Sequence, residues 1–164
     1  VYYSLSDVIR ERATKRKLEH SRDILIKLGN ELREKHGASY LAEQINNKIK
    51  QQLKKNKNQN SAVDSIRSPH EAKELKRNKG FVLIGIDAPI ELRFKRLRER
   101  NRLGDAKTLE MFKQQEQREN LKSDTNQQLD ETFKLAKKII VNDGSLKKLH
   151  EKIDKLLNFG KNNY

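Results

Sequence analysis

Apolar residues recur along this chain at two spacings, and the spacing changes several times. Ile24, Leu25, Leu28 and Leu32 fall three or four apart, as do Leu41, Ile45, Ile49 and Leu53. That period puts each set on one face of a helix. Each of these helices opens on a serine, Ser21 or Ser39, and the first of them stops near Gly37. An earlier helix is predicted from a cap at Ser6-Asp7 to about Lys17. Serine and aspartate suit such starts because their oxygens accept from backbone N–H groups that have no partner within the helix. The helix holding Leu53 then dissolves into the polar run 54–60, read as a frayed end and an exposed loop.

Short β-branched and aromatic stretches interrupt the helices at 1–5, 62–63, 81–86 and 139–141. Phe81-Val82-Leu83-Ile84-Gly85-Ile86 is apolar at nearly every position, as in a parallel strand covered on both faces. Ser68-Pro69-His70-Glu71 reads as a helix start with a capping box and proline in the first turn. Ile90, Phe94 and Leu97 stripe a helix over 89–102. Polar helices are expected over 108–120 and 126–137, and a Ser145-capped helix to about Asn158. Alternating strands and helices predict a three-layer α/β/α domain over 1–164, its sheet parallel and covered on both sides. Within it, 104–120 reads as a lid-like insertion, because only Leu109, Met111 and Phe112 on its helix are large and apolar.

Composition narrows the chemistry. There is no cysteine, so disulfides, thiol nucleophiles and cysteine-held zinc are excluded, a zinc-dependent deaminase among them. Histidines 20, 36, 70 and 150 show no ligand spacing. No apolar run approaches the ~18 residues of a membrane span, and a cytoplasmic protein is expected. The net charge of +14 suits a phosphate-bearing partner. Lysines are spread along the chain with few aromatics between them, so solvated helix faces explain much of that charge. A nucleic-acid partner is the weaker reading.

In open parallel sheets, ligands bind beyond the carboxyl ends of the strands. The residues there are Ser4 to Asp7 with Arg10, Asp64 to Arg67, Asp87 to Pro89, and Asn142 to Ser145. Capping accounts for the serines. It does not account for Arg10 or Arg67, since arginine in a first turn opposes the helix dipole unless an anion lies near. Guanidinium groups match phosphate oxygens two at a time, so these two are expected to grip one phosphate. Five more arginines lie between Arg93 and Arg102, where solvent exposure is the competing explanation.

Four segments carry a resemblance: Leu5-Ser6-Asp7-Val8-Ile9-Arg10, Asp64-Ser65-Ile66-Arg67-Ser68-Pro69, the run from Phe81 to Pro89, and Val141-Asn142-Asp143-Gly144-Ser145. Their order resembles that in P-loop nucleotide kinases, of the nucleoside-monophosphate, adenylate-kinase-like and dephospho-CoA-kinase-like kind, over nearly the whole chain. The resemblance implies that Arg10 and Arg67, with Asp7 and Asp64 beside them, bind the acceptor's phosphate. It implies catalytic roles for Arg100 and Arg118, and an adenine-binding loop containing Asn142, Gly144 and Ser145. Ser65 stands where that family usually has glycine.

A P-loop itself, G-x-x-x-x-G-K-[ST], is absent from the 164 residues. The chain therefore resembles that fold with its first βα unit missing. Such an arrangement predicts that the strand ending near Asp64 and the strand 81–86 are not hydrogen-bonded to each other. The implied activity is transfer of the γ-phosphoryl of ATP, with Mg2+, to a nucleoside monophosphate or similar small-molecule acceptor. The alternative is a non-catalytic module that binds phosphate or nucleic acid.

Overall fold

The computed structural model describes residues 1–102, 104–119 and 128–161, with side chains given to Leu157 except that of Glu119. Among these residues the chain forms four short strands and eight helices. In order they are β1 (Tyr2–Ser4), α1 (Leu5–Lys15), α2 (Arg22–His36), α3 (Tyr40–Lys55), β2 (Ala62–Asp64) and α4 (Pro69–Leu75). Then come β3 (Ile84–Asp87), α5 (Ile90–Arg100), α6 (Leu109–Glu119), α7 (Leu129–Lys134), β4 (Lys138–Val141) and α8 (Leu146–Lys161).

The strands make two separate parallel pairs rather than one continuous sheet. β1 pairs with β2 from Tyr2↔Ala62 to Ser4↔Asp64, and β3 pairs with β4 from Ile84↔Lys138 to Asp87↔Val141. β2 and β3 are not hydrogen-bonded neighbours. The protein is thus mixed α/β with small parallel sheets, and the single three-layer sheet expected from the sequence is replaced by two pairs. The strand expected over 81–86 also shifts to Ile84–Asp87. β4 offers ladder partners only from Lys138 onward, and Phe81 packs instead against the core built around α1 to α4.

That first core is the larger one. Leu5, Leu28, Leu32, Leu41, Ile45 and Leu75 are almost fully buried in it, and Tyr3, Ile9 and Val63 pack against its edge. The apolar residues spaced three or four apart in α2 and α3 supply most of it, as the helical period requires. A second, smaller core joins α5 to α6 through Leu97, Ala106 and Phe112, with Ile90, Phe94 and Leu109 around them. Phe112 is buried, so α6 is fastened by one aromatic side chain although most of its surface is polar. The lid-like segment 104–120 expected there extends to Asn120, which lies outside the described residues.

Helix ends follow sequence in some places and depart from it in others. Ser68 forms the full capping box: its hydroxyl accepts from Glu71 N–H at 3.2 Å, and Glu71 Oε2 accepts from Ser68 N–H at 3.2 Å. The cap of α1 lies two residues before the expected Ser6, directly at the end of β1, so Ser4 is the N-cap and its side chain makes no cap bond. Gly104, at φ 82°, lets its backbone lie against Arg22, where an added Cβ would come within 3.2 Å of the Arg22 Cβ.

Candidate functional site

A cavity of about 490 Å³ opens at the carboxyl end of the β1–β2 pair. Six arginines line it: Arg10 from α1, Arg22 and Arg33 from α2, Arg67 from the loop after β2, and Arg100 and Arg102 from the end of α5 and beyond. Asp105 is the one carboxylate among the lining residues, and no lysine is among them. Leu5, Ile9, Leu25, Ile26 and Leu41 give the same cavity an apolar wall. It therefore combines a concentrated, planar cationic lining with a surface that suits carbon or a ring.

The cationic wall is held from behind by carboxylates. Arg33 and Glu71 form a buried ion pair, with side chains 3% and 0% exposed. Arg33 Nε and Nη2 donate to Glu71 Oε1 at 3.0 and 2.8 Å. Glu71 Oε2 accepts from the backbone N–H of Arg67 at 2.8 Å and of Ser68 at 3.2 Å. One carboxylate thereby neutralises one arginine of the wall and fixes the backbone that carries another. Both of its oxygens are satisfied, which is what makes a buried charge tolerable.

Asp105 does the same from the other side. Arg100 Nε and Nη2 donate to its two oxygens at 2.9 Å each, Arg102 N–H donates at 3.2 Å, and Arg22 Nη1 lies 3.7 Å away. Burial raises the tendency of this carboxyl to keep its proton, but the Arg100 hydrogen bonds and charge, with help from Arg102 and Arg22, outweigh burial. Its pKa is held below the usual carboxylate value. Because Arg22 begins α2 and Asp105 follows α5, the cluster also ties the two parts of the molecule together. The bond from Gln128 N–H to the Arg67 carbonyl, 2.8 Å, is a second tie at the same edge.

Arg10 and Arg67, expected to converge, both line this cavity, and Arg100 joins them. The other expected residues fall elsewhere. Asp7 accepts from Arg10 at 2.8 Å and Asp64 accepts from the Tyr2 hydroxyl at 2.8 Å, and neither lines the cavity. Carboxylates would repel a phosphate there, so their places beside donors are the ones expected of acceptors. Arg118 is exposed on α6 and is not part of the lining. Asn142 and Gly144 accept from Arg96: the guanidinium reaches the Asn142 carbonyl at 2.9 Å, its Oδ1 at 3.3 Å and the Gly144 carbonyl at 3.2 Å. Ser145 accepts from Lys148 N–H at 3.4 Å as an ordinary helix cap. The 142–145 loop is therefore braced by α5 and does not line the cavity.

Several lining residues escaped sequence reasoning. His20, Arg22 and Arg33 lie on or just before α2, where arginine and lysine are so frequent that nothing marks these positions. Glu71 was legible only as half of a capping box. Its second role, as partner of a buried arginine 38 positions away, has no local signal.

No family model matches the chain. Compared with curated proteins, it is 32% identical to a UPF0200 protein of Pyrococcus abyssi over 94% of this chain and 80% of that protein. It is 30% identical to a UPF0200 protein of Hyperthermus butylicus, over 94% of this chain and 78% of that one. It is 36% identical to a UPF0200/UPF0201 protein of Archaeoglobus fulgidus over 93% of this chain, but spans only 46% of that longer protein. These names correct the assignment to P-loop nucleotide kinases. The motifs that suggested it have local explanations: Ser68 and Ser145 cap helices, Asp64 holds Tyr2, and Asn142 holds Arg96. Such residues recur at strand and helix ends in any parallel α/β protein and do not single out one family. The chain belongs to the UPF0200 family.

Proposed function

We propose that the arginine-lined cavity binds the phosphate end of a phosphorylated small molecule, with a nucleoside monophosphate as the reference ligand. The observation that carries this reading is the convergence of arginines from α1, α2, the β2–α4 loop and the end of α5 on one cavity with a single lining carboxylate. Glu71, Asp105 and Asp7 offset part of the charge gathered this way, and a bound anion would offset more of it. Guanidinium forks bind phosphate oxygens bidentately, whereas the apolar wall of Leu5, Ile9 and Leu41 suits a base or carbon skeleton.

The further step of the proposal is that the whole protein uses the bound phosphate as acceptor of the γ-phosphoryl of ATP. An acceptor oxygen bonds to the γ-phosphorus, the bond to the β–γ bridging oxygen breaks, and ADP leaves with that electron pair. Positioning and charge supply most of the catalysis in such transfers, which is work that arginines do. Mg2+ accompanies the phosphates of ATP in this scheme. Among the described residues no group of three or more His, Asp or Glu is placed to hold a metal, so no side chain is assigned to it. Among the described residues no helix is long and apolar enough to cross a membrane, and a cytoplasmic site of action fits a donor such as ATP.

Calorimetric titration tests the binding step, using a nucleoside monophosphate and its parent nucleoside. The monophosphate should bind and the nucleoside should not. Arg10→Ala and Arg67→Ala should each weaken binding about tenfold or more, the loss expected for a charge-assisted hydrogen bond. Equal binding of nucleoside and monophosphate would remove the proposal. The transfer step is tested by following ADP release from ATP and Mg2+ with the full-length protein. Monophosphate binding without acceptor-dependent ADP would leave a binding protein and discard the transferase.

A further inference from the structure

Ser65 has a backbone that serine rarely adopts. Its φ is 60°, and the other non-glycine residues with positive φ among those described, Lys17 and Asn101, do not line the cavity. Ser65 does line it, immediately after β2 at the end of the sheet where the arginines gather. The left-handed region is costly for a residue that carries a side chain, and glycine would avoid that cost. Strain of that kind persists where a structure holds it in place, and it collects at ligand sites.

A neighbouring hydroxyl bonds to the Ser65 side chain. Ser4, 4% exposed, ends β1 and is the N-cap of α1, yet its side chain makes no cap bond. It donates instead to Ser65 Oγ at 3.2 Å. A hydroxyl has one proton and two lone pairs. With Ser4 donating to it, Ser65 keeps its own proton for a further acceptor, and Ser65 lines the cavity together with Arg10 and Arg67. We infer that Ser65 is a ligand-binding residue of this site, donating through Oγ to a phosphate oxygen, and that its left-handed backbone is what aims the hydroxyl there. The pair Ser4 and Ser65 would add a neutral donor to an otherwise guanidinium-rich lining. Such a donor gives the bound phosphate a fixed direction as well as charge.

This inference rests on the phosphate-binding reading of the cavity, and its test separates the two. The probe is inorganic phosphate, titrated into the wild-type protein, Ser65→Ala and Ser65→Gly, with the thermal midpoint of each recorded. Both variants lose the hydroxyl, so both should bind phosphate about tenfold more weakly. Their stabilities should part: Ser65→Gly melts at or above wild type, because glycine accepts the left-handed backbone, and Ser65→Ala melts at or below it. Loss of affinity together with gained stability is something a purely structural serine would not give. Wild-type affinity in Ser65→Ala would overturn the inference even if Ser65→Gly bound poorly, since that pattern reports a loosened turn. Should Ser65→Ala fail to fold, wild-type affinity in Ser65→Gly overturns it equally. If the wild-type protein bound no phosphate, the cavity reading itself would fall, and this inference with it.

Discussion

The two parallel strand pairs are built from similar residues but sit in different surroundings. Around β1 and β2, four helices bury ten apolar side chains in one cluster, and α1, α2 and α3 all pack on one another. Around β3 and β4, the buried cluster contains three residues, and it joins α5 to α6 rather than covering the strands. Ile86, Ile139 and Val141 remain about half exposed on those strands, beside Val82. Parallel strands are ordinarily covered on both faces. The first region meets that requirement much better than the second. Stability therefore comes mainly from the first region, whereas the site draws on both. The first region supplies a packed frame with four of the cavity's arginines, and the second contributes Arg100, Arg102 and Asp105 across a polar joint.

The frame should break most severely at Glu71. Glu71→Ala leaves Arg33 buried without its carboxylate and takes the acceptor from the Arg67 and Ser68 N–H groups. Removing one partner of a buried pair typically costs about 3–5 kcal/mol. Chemical denaturation should show a loss of that order. A loss below about 1 kcal/mol would mean that the pair is reached by water and that the two regions differ less than their packing implies.

A matched pair of truncations sharpens the comparison directly. Ile45, 1% exposed in the first core, and Ile139, 55% exposed on β4, are the same residue in the two settings. Ile45→Ala should cost about 2–5 kcal/mol, because transfer and cavity terms add. Ile139→Ala should stay within about 0.5 kcal/mol, as exposed positions do. Similar losses at both sites would show that β4 is covered in solution and that the contrast is false.

The packing of the first region was legible because helical periodicity is local information. Ile24 to Leu32 and Leu41 to Leu53 announce their faces within a few turns, and Ser68 announces its cap within four residues. Arg10 and Arg67 were expected near one another from their positions after strand ends and from the helix dipole, and both line the cavity. The strand at 81–86 was misplaced because its bounds depend on a partner 54 positions away, which pairs only from Ile84 to Asp87. Asp7, Asp64 and Asn142 were grouped with a ligand from their places near strand ends, and in the structure they hydrogen-bond Arg10, Tyr2 and Arg96. Residue type and position near a strand end cannot distinguish a group facing a cavity from one spent on a neighbour.

Acid should loosen the joint between the regions. The Asp105 carboxyl is depressed in the folded protein, so its contribution is complete above the ordinary carboxylate pKa of about 3.9 and fades as pH falls through the lower folded value. At pH 7 Asp105→Asn should therefore destabilise the protein, and near pH 3 the gap between variant and wild type should narrow. The narrowing should accompany loosened contact of Arg22 and Arg100 with Asp105, visible in their side-chain NMR signals. A gap that widened on acidification would reverse the sign and show that Asp105 is held protonated by burial.

The smallest expected effect concerns the one proposed arginine that the second region keeps to itself. Arg100 and Arg118 both belong to that region, but only Arg100 lines the cavity, and Arg118 is exposed on α6. Arg100→Ala removes a cavity guanidinium and also leaves Asp105 with only Arg22 at 3.7 Å and the Arg102 N–H, so more of its negative charge acts on the incoming anion. Affinity for a nucleoside monophosphate should fall about tenfold or more. Arg118→Ala should leave that affinity within about twofold, since an exposed charge beyond the cavity is screened by salt over roughly 8–10 Å. Titrating both variants at physiological ionic strength decides the point. An Arg118→Ala loss equal to that of Arg100→Ala would show that α6 closes over the bound phosphate in solution. The second region would then supply an arginine beyond those at its joint, and the division between a packed frame and a polar contributor would have to be redrawn.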